Sequence, residues 1–198
     1  MRRNSNFIVI IPARFGSKRL PGKPLRKILG VPMIIRTCMQ CLKVVKKSQL
    51  LVATDDRRIQ KCCEKYSINS ILTSKKCKTG TDRVAEVAKK IKVKNYINVQ
   101  GDEPIFNPTD LKNMIKLVKK NKDKILLGYT KIENKTNIKN RNIPKVVFDK
   151  NENLLYASRS PIPFTNSNKL SKSWRQVLVY SFPRLEILKF YHRLLKKD

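Results

Sequence analysis

An apolar strand that runs straight into a cationic turn constrains this chain more than any other feature. Phe7-Ile8-Val9-Ile10-Ile11 is a continuous, largely β-branched run closed by Pro12, which reads as a strand buried on both faces of a layered α/β sheet. Pro12-Ala13-Arg14-Phe15-Gly16-Ser17-Lys18-Arg19-Leu20-Pro21-Gly22-Lys23-Pro24 follows at once and carries Arg14, Lys18, Arg19 and Lys23 on one loop. Ligands of open α/β sheets gather beyond the carboxyl ends of the strands. A polyanion such as a triphosphate can be met there by charge and by free backbone N–H groups. The glycines fit neither the Walker nor the Rossmann pattern, because Gly16 and Gly22 stand six apart and no Gly-Lys-Ser/Thr follows. Spacing alone fits a phosphate site and a basic surface loop equally well.

The rest of the chain alternates strand and helix signals, as an α/β layered domain does. Strands are expected at Phe7–Ile11, Leu50–Ala53, Ser70–Leu72, Asn95–Val99 and Ile125–Ile132. A hairpin of Lys145–Phe148 and Leu154–Ala157 follows, then a late strand at Gln176–Ser181. Apolar residues recurring at three and four place helices over Pro32–Val45, Asp56–Tyr66, Asp82–Ile91, Pro108–Lys120 and Pro183–Leu195, with Asn107 or Thr109 capping the fourth. Thr165–Ser173 is polar and reads as a loop. No internal repeat or dividing linker is visible, and 198 residues at 40% hydrophobic suffice for one well-cored domain.

The charge is +31, from 45 Lys+Arg against 14 Asp+Glu, and a basic footprint is a first sign of phosphate-backbone binding. Its distribution argues against a specific nucleic-acid partner. Lysines recur along the whole chain, with neither the aromatic-interleaved strand of RNA-recognition modules nor a zinc-finger spacing. Only nonspecific adhesion to polyanions is expected. The apolar runs fall far short of the roughly 20 residues that cross a bilayer, and Met1-Arg2-Arg3 leads into no signal-type segment. No membrane insertion and a cytoplasmic location are therefore expected. Cys38, Cys41, Cys62, Cys63 and Cys77 are odd in number, which points to free thiols rather than a disulfide framework. Cys38 and Cys41 have the spacing of a metal knuckle or redox pair. Ile34, Ile35, Cys38, Cys41 and Leu42 recur at helical spacing, however, so both thiols are expected in the core. His192 is given no chemistry.

The stretch Phe7–Leu25 closely resembles the opening of the sugar-acid cytidylyltransferases, in particular the CMP-Kdo synthetases (3-deoxy-manno-octulosonate cytidylyltransferases). Their signature is a strand, Pro-Ala-Arg, a short variable segment and Arg-Leu-Pro-Gly-Lys-Pro-Leu, and the chain has all of it. Four further blocks occur in the family's order: Val52-Ala53-Thr54-Asp55-Asp56, Thr79-Gly80-Thr81-Asp82-Arg83-Val84-Ala85-Glu86-Val87, Asn98-Val99-Gln100-Gly101-Asp102-Glu103-Pro104 and Ser158-Arg159-Ser160-Pro161-Ile162-Pro163.

The resemblance implies a three-layer α/β fold, nucleotide-diphospho-sugar-transferase-like, around a mixed, mostly parallel sheet, with residues 1–198 as one cytidylyltransferase domain. It implies nucleotidyl transfer for lipopolysaccharide synthesis: the anomeric hydroxyl of Kdo attacks the α-phosphorus of CTP, giving CMP-Kdo and pyrophosphate, with Mg²⁺ as cofactor. Lys23 and Asp102 would be catalytic, Asp102 holding the metal. On position alone, an Asp-Glu-Pro after a strand also suits a helix or turn cap. Pro12, Ala13, Arg14, Arg19 and Lys23 would bind the nucleotide, and Thr81, Asp82 and Arg83 would shape its pocket. Read without the family, Asp82 is a helix cap and Arg83 a surface residue. Gln100, Arg159, Gln176 and Tyr180 match positions that face the sugar, Arg159 being suited to a carboxylate. Asp55-Asp56 reads as a strand terminus and helix cap rather than a metal site.

Three departures stand out. Gln176 and Cys77 each occupy a position where the family has His. The chain also ends before the family's Leu-Glu-rich helical segment and Asp-Thr-Pro-Glu-Asp-like block, which supply a second metal carboxylate, part of the sugar site and part of the homodimer interface. Two alternatives follow: a cytidylyltransferase for another 2-keto sugar acid, suggested by Gln176, and a shortened, non-catalytic nucleotide- or polyanion-binding protein, suggested by the missing carboxylate and the charge.

Overall fold

The computed structural model describes residues 6–16, 20–133, 138–163 and 172–195, with the backbone alone at 178 and 192–195. Lys18, Arg19, the side chain of His192 and most of the expected 165–173 loop lie outside the described residues. The chain divides into two compact units, residues 1–126 with 178–198, and residues 127–177.

In the first unit, the apolar opening becomes β1 (Phe7–Ala13), buried along its whole length. It extends two residues past the expected Ile11, because Pro12 and Ala13 still lie opposite Ala53 and Thr54 of β4 (Leu50–Thr54). Between them come the short hairpin strands β2 (Lys27–Ile28) and β3 (Val31–Pro32), which carry no alternating apolar pattern. The sheet runs in the order β5 (Ser70–Leu72), β4, β1, β6 (Asn95–Val99) and the end of β10 (Trp174–Pro183). Its first three pairings are parallel, and β10 closes it antiparallel, with Val179 opposite Val99 and Pro183 opposite Asn95. The expected mixed, mostly parallel sheet is thus found here.

Alternation along the strands supplies both faces with apolar groups. Ile8, Ile10, Leu51, Ala53 and Tyr96 pack against Val84, Ala85, Val87 and Ala88 of α3 (Gly80–Lys90) and Ile187 of α5 (Arg184–Leu195). Val9, Ile11 and Val52, equally buried, point to the other face. There α1 (Met33–Leu42) contacts α4 (Pro108–Lys120), and Ile34 lies close to Ile11 around Gly101. Helices on both faces make the three layers that were expected.

The helix starts follow local hydrogen bonding. Asp56 caps α2 (Arg57–Lys65), its carboxylate accepting the Arg58 N–H at 2.8 Å. Thr79 Oγ1 accepts the Asp82 N–H at 3.2 Å and the Asp82 carboxylate accepts the Thr79 N–H at 2.8 Å. This reciprocal capping box starts α3 at Gly80, two residues before the expected Asp82. Asn107, not Thr109, caps α4. Cys38 and Cys41 are fully buried in α1 and all five cysteines are free, as expected. Burial pushes the Cys41 thiol up to about 12.

In the second unit, β8 (Lys145–Phe148) and β9 (Leu154–Ser158) form the expected antiparallel hairpin. Asp149 shapes its turn by accepting the N–H groups of Asn151 and Asn153, each at 2.8 Å. Tyr129 of β7 (Leu126–Lys131), Phe148 and Trp174 cluster with ring centroids 4.4 to 5.5 Å apart. Lys145 is fully buried, and its ammonium donates to the carbonyls of Asn140 at 2.6 Å and Arg159 at 3.1 Å. Among the described residues no helix is long and apolar enough to cross a membrane.

Candidate active site

The carboxyl edge of the first unit's sheet holds a cavity of about 250 Å³, lined by the end of β1 together with Arg14, Lys23, Thr79, Arg83, Gln100 and Asp102. Gly101 makes this edge possible. A Cβ built there would lie 2.6 Å from the Pro12 carbonyl oxygen, so only glycine lets the ends of β1 and β6 come so close. The turn after β6 then delivers Asp102 opposite Lys23, whose Nζ donates to Asp102 Oδ2 at 2.7 Å. Their side chains are 37% and 49% exposed. A pair this open to water is worth about 0–1 kcal/mol, and so is readily exchanged for a phosphate on one side and a cation on the other.

The cationic loop is fastened at Phe15. The Phe15 N–H donates to Asp55 Oδ1 at 3.1 Å, and its carbonyl accepts the Gly22 N–H at 3.1 Å. Gly22 sits at φ +66° with the Phe15 ring against it, so a side chain there meets both strain and a clash. The Arg58 guanidinium stacks on the Phe15 ring, 3.4 Å from its centroid. After Gly22 a single 3₁₀ turn, Lys23–Leu25, sets the direction of the Lys23 side chain.

Of the residues proposed for the nucleotide, Pro12, Ala13, Arg14, Lys23 and Arg83 line the cavity, and Arg19 lies outside the described residues. Asp82 instead turns back on Thr79, taking its N–H at 2.8 Å and its hydroxyl at 2.7 Å. The cap reading of Asp82 is therefore correct. Thr81 and Asp82 are absent from the cavity wall. The surface reading of Arg83 is not correct, since Arg83 is 2% exposed. Its Nη2 donates to Asp55 Oδ2 at 2.6 Å and its Nη1 to Thr73 Oγ1 at 2.6 Å, satisfying a cation that burial would otherwise penalise. Asp56 caps a helix as expected. Asp55, however, joins the loop to Arg83, a role that no spacing in the sequence signals because its partners are brought in by β1 and α3.

Cys77 lines the same cavity, with its thiol donating to Glu86 Oε2 at 3.4 Å. Burial first, and then the Glu86 carboxylate, push it up to about 11, so it stays protonated at neutral pH. The four residues matched to the sugar divide between the units. Gln100, half-buried in the cavity wall, and Tyr180, opposite Asn98 in the sheet, belong to the first. Arg159 and Gln176 belong to the second, where the Arg159 guanidinium donates to the Arg141 carbonyl at 3.0 Å.

Asp102 offers one half-exposed carboxylate at the cavity mouth, and no cluster of three acidic, His or Cys groups exists among the described residues. One carboxylate is within the normal protein share of a Mg²⁺ site, where substrate phosphates and water complete the octahedron. The residues fit the ion on those terms.

The family model described as cytidylyltransferase matches residues 8–198. A 3-deoxy-manno-octulosonate cytidylyltransferase of Escherichia coli is 33% identical over 190 residues, covering 96% of this chain and 77% of that protein. One of Polynucleobacter necessarius subsp. necessarius is 37% identical over 196 residues, covering 96% and 76%. A solved CMP:2-keto-3-deoxy-manno-octonic acid synthetase complexed with CTP superposes with a TM-score of 0.87 at 34% identity, over 96% of this chain and 78% of that one. With the family model, the relatives and the fold in agreement, the chain belongs to the cytidylyltransferase family, alongside the 3-deoxy-manno-octulosonate cytidylyltransferases.

Proposed function

We propose that the chain transfers a cytidylyl group from CTP to Kdo, releasing pyrophosphate, and that residues 1–198 act as one cytidylyltransferase domain in the cytoplasm. The observation that carries this reading is the meeting of Lys23 and Asp102 at 2.7 Å across the mouth of a cavity that Arg14 also lines. That is a cation and a carboxylate poised for a phosphate and its counter-ion. The CTP complex of the 34% identical relative supports the choice of nucleotide.

In this reading Arg14, Arg19 and Lys23 hold phosphate oxygens, with Pro12 and Ala13 beneath the nucleotide. Thr81, Asp82 and Arg83 shape the pocket without all touching the ligand. Gln100, Arg159, Gln176 and Tyr180 receive the sugar acid, Arg159 pairing with its carboxylate. The sugar's anomeric oxygen forms the new bond to the α-phosphorus as the bond to the pyrophosphate oxygen breaks, and the hydroxyl proton leaves to solvent. Such chemistry asks for alignment and charge neutralisation rather than a covalent protein intermediate. A Mg²⁺ ion held by Asp102 would supply additional neutralisation of the phosphate charge.

Pyrophosphate release from CTP and Mg²⁺, measured with and without Kdo and with UTP and sialic acid as competing substrates, tests the proposal. Release that needs both CTP and Kdo is expected. Release with sialic acid but not Kdo would reassign the sugar, and CTP binding without any release would leave a nucleotide-binding protein.

A further inference from the structure

We infer that Asp55 and Arg83 are positioning residues that act as one unit on the nucleotide loop, through the backbone N–H of Phe15. This rests on the proposal that the loop after β1 holds CTP. Arg83 is anchored on one arm by Thr73 Oγ1 at 2.6 Å and the Ser74 carbonyl at 3.3 Å, and on the other by Asp55 Oδ2 at 2.6 Å. Thr73 is itself tied to the end of β4, its N–H donating to the Thr54 carbonyl at 2.8 Å and its hydroxyl at 3.0 Å. The side chains of Arg83 and Asp55 are 3% and 15% exposed, so the pair is screened far less than a surface pair and holds one geometry. Asp55 spends its second oxygen on the Phe15 N–H at 3.1 Å.

Phe15 transmits that placement. Its carbonyl takes the Gly22 N–H at 3.1 Å, and its ring is the surface on which Gly22 rests. One residue therefore pins both the departure of the loop from β1 and its return at Gly22, directly before Lys23. The Arg83 guanidinium reaches the cavity wall already committed to Asp55, Thr73 and Ser74. Its effect on CTP thus passes through Asp55 and not through a phosphate contact of its own. Loss of either partner leaves the loop's first turn without its fixed acceptor, and ordering that turn falls to the ligand.

The test is a double-mutant cycle on the full chain with Asp55→Asn, Arg83→Lys and both together. CTP is titrated calorimetrically, thermal unfolding is followed separately, and hydrogen exchange is read over residues 12–25. Loss of one hydrogen bond to a charged group predicts a Kd for CTP raised about tenfold in each single variant. The double variant should be no more than about twofold weaker than the worse single one, because both act on one link. Binding stoichiometry should hold, and exchange at Phe15 and Gly22 should quicken.

Additive losses, or a loss in Arg83→Lys alone, would make Arg83 a direct ligand contact and overturn the inference. An unchanged Kd with falling stoichiometry would reduce the pair to general support of the fold and overturn it as well. If either variant fails to fold, hydrogen exchange of the unaltered protein takes its place: strong protection of the Phe15 N–H supports its link to Asp55, and free exchange there refutes the relay. Absence of CTP binding by the unaltered protein would instead overturn the nucleotide reading on which the inference stands.

Discussion

Lys23 and Asp102 neutralise each other across the cavity mouth, and the weakness of their pair sets what each substitution should do. Asp102→Ala removes the carboxylate offered to Mg²⁺ and leaves Lys23 without its counter-charge. Turnover should fall by about 100-fold or more, the usual effect of deleting a preorganised electrostatic group. CTP binding in EDTA should stay the same or tighten. Thermal stability should change little, since surface substitutions usually lie within about 0.5 kcal/mol. Turnover that survives would remove Asp102 from the reaction. Gly101→Ala is the opposite case, because its added Cβ meets backbone at 2.6 Å and not a side chain that could swing aside. The ends of β1 and β6 must part, so a lower melting temperature and a lost CTP site are expected together. At this scale the sequence made Lys23, Arg14 and Asp102 legible because they sit in motifs, with their strands beside them. The Asp55–Arg83 pair was not legible, since its members stand 28 positions apart and only the parallel packing of β1 and β4 under α3 brings them together.

Elements were legible where the apolar pattern was long, and their ends where a cap was local. The helix α4 shows both. Leu111, Met114 and Val118 bury one face, and Asn107 accepts the Thr109 N–H at 3.0 Å to begin it. Asn107→Ala should cost about 0.5–2 kcal/mol, read as a lower melting temperature, with CTP affinity unchanged because Asn107 is absent from the cavity wall. A change in affinity would mean that α4 and the cavity are coupled. For α1 the prediction concerns chemistry. Cys38 and Cys41 are fully buried, and burial raises both thiols, Cys41 to about 12. In the folded protein at pH 8 neither should be alkylated by iodoacetamide, and mass spectrometry that finds either one modified would contradict the core reading. The short β2–β3 hairpin was illegible for a physical reason, since two-residue strands have too few side chains to display an alternation. The length of β10 was missed because its two ends belong to different units, so no single burial pattern runs through it.

For the whole molecule, the α/β class and the parallel order of β4, β1 and β6 follow from continuous apolar strands separated by amphipathic helices, a pattern that only a sheet covered on both faces can satisfy. Net charge carries no such information about fold, but it does govern association. At +31 the chain should adhere to any polyanion. Because the cations are spread along the sequence, which carries no recognised base-reading motif, this adhesion should come from counter-ion release and be blind to sequence. Binding to two unrelated DNA duplexes should therefore be equal within a factor of about two, and should fall by orders of magnitude between about 50 and 200 mM salt. CTP binding, which in the proposed reading rests on a few fixed contacts around Arg14 and Lys23, should weaken far less across the same range. A duplex preference that persists at the higher salt would instead indicate a nucleic-acid surface with its own geometry, and would raise the polyanion-binding reading above adhesion.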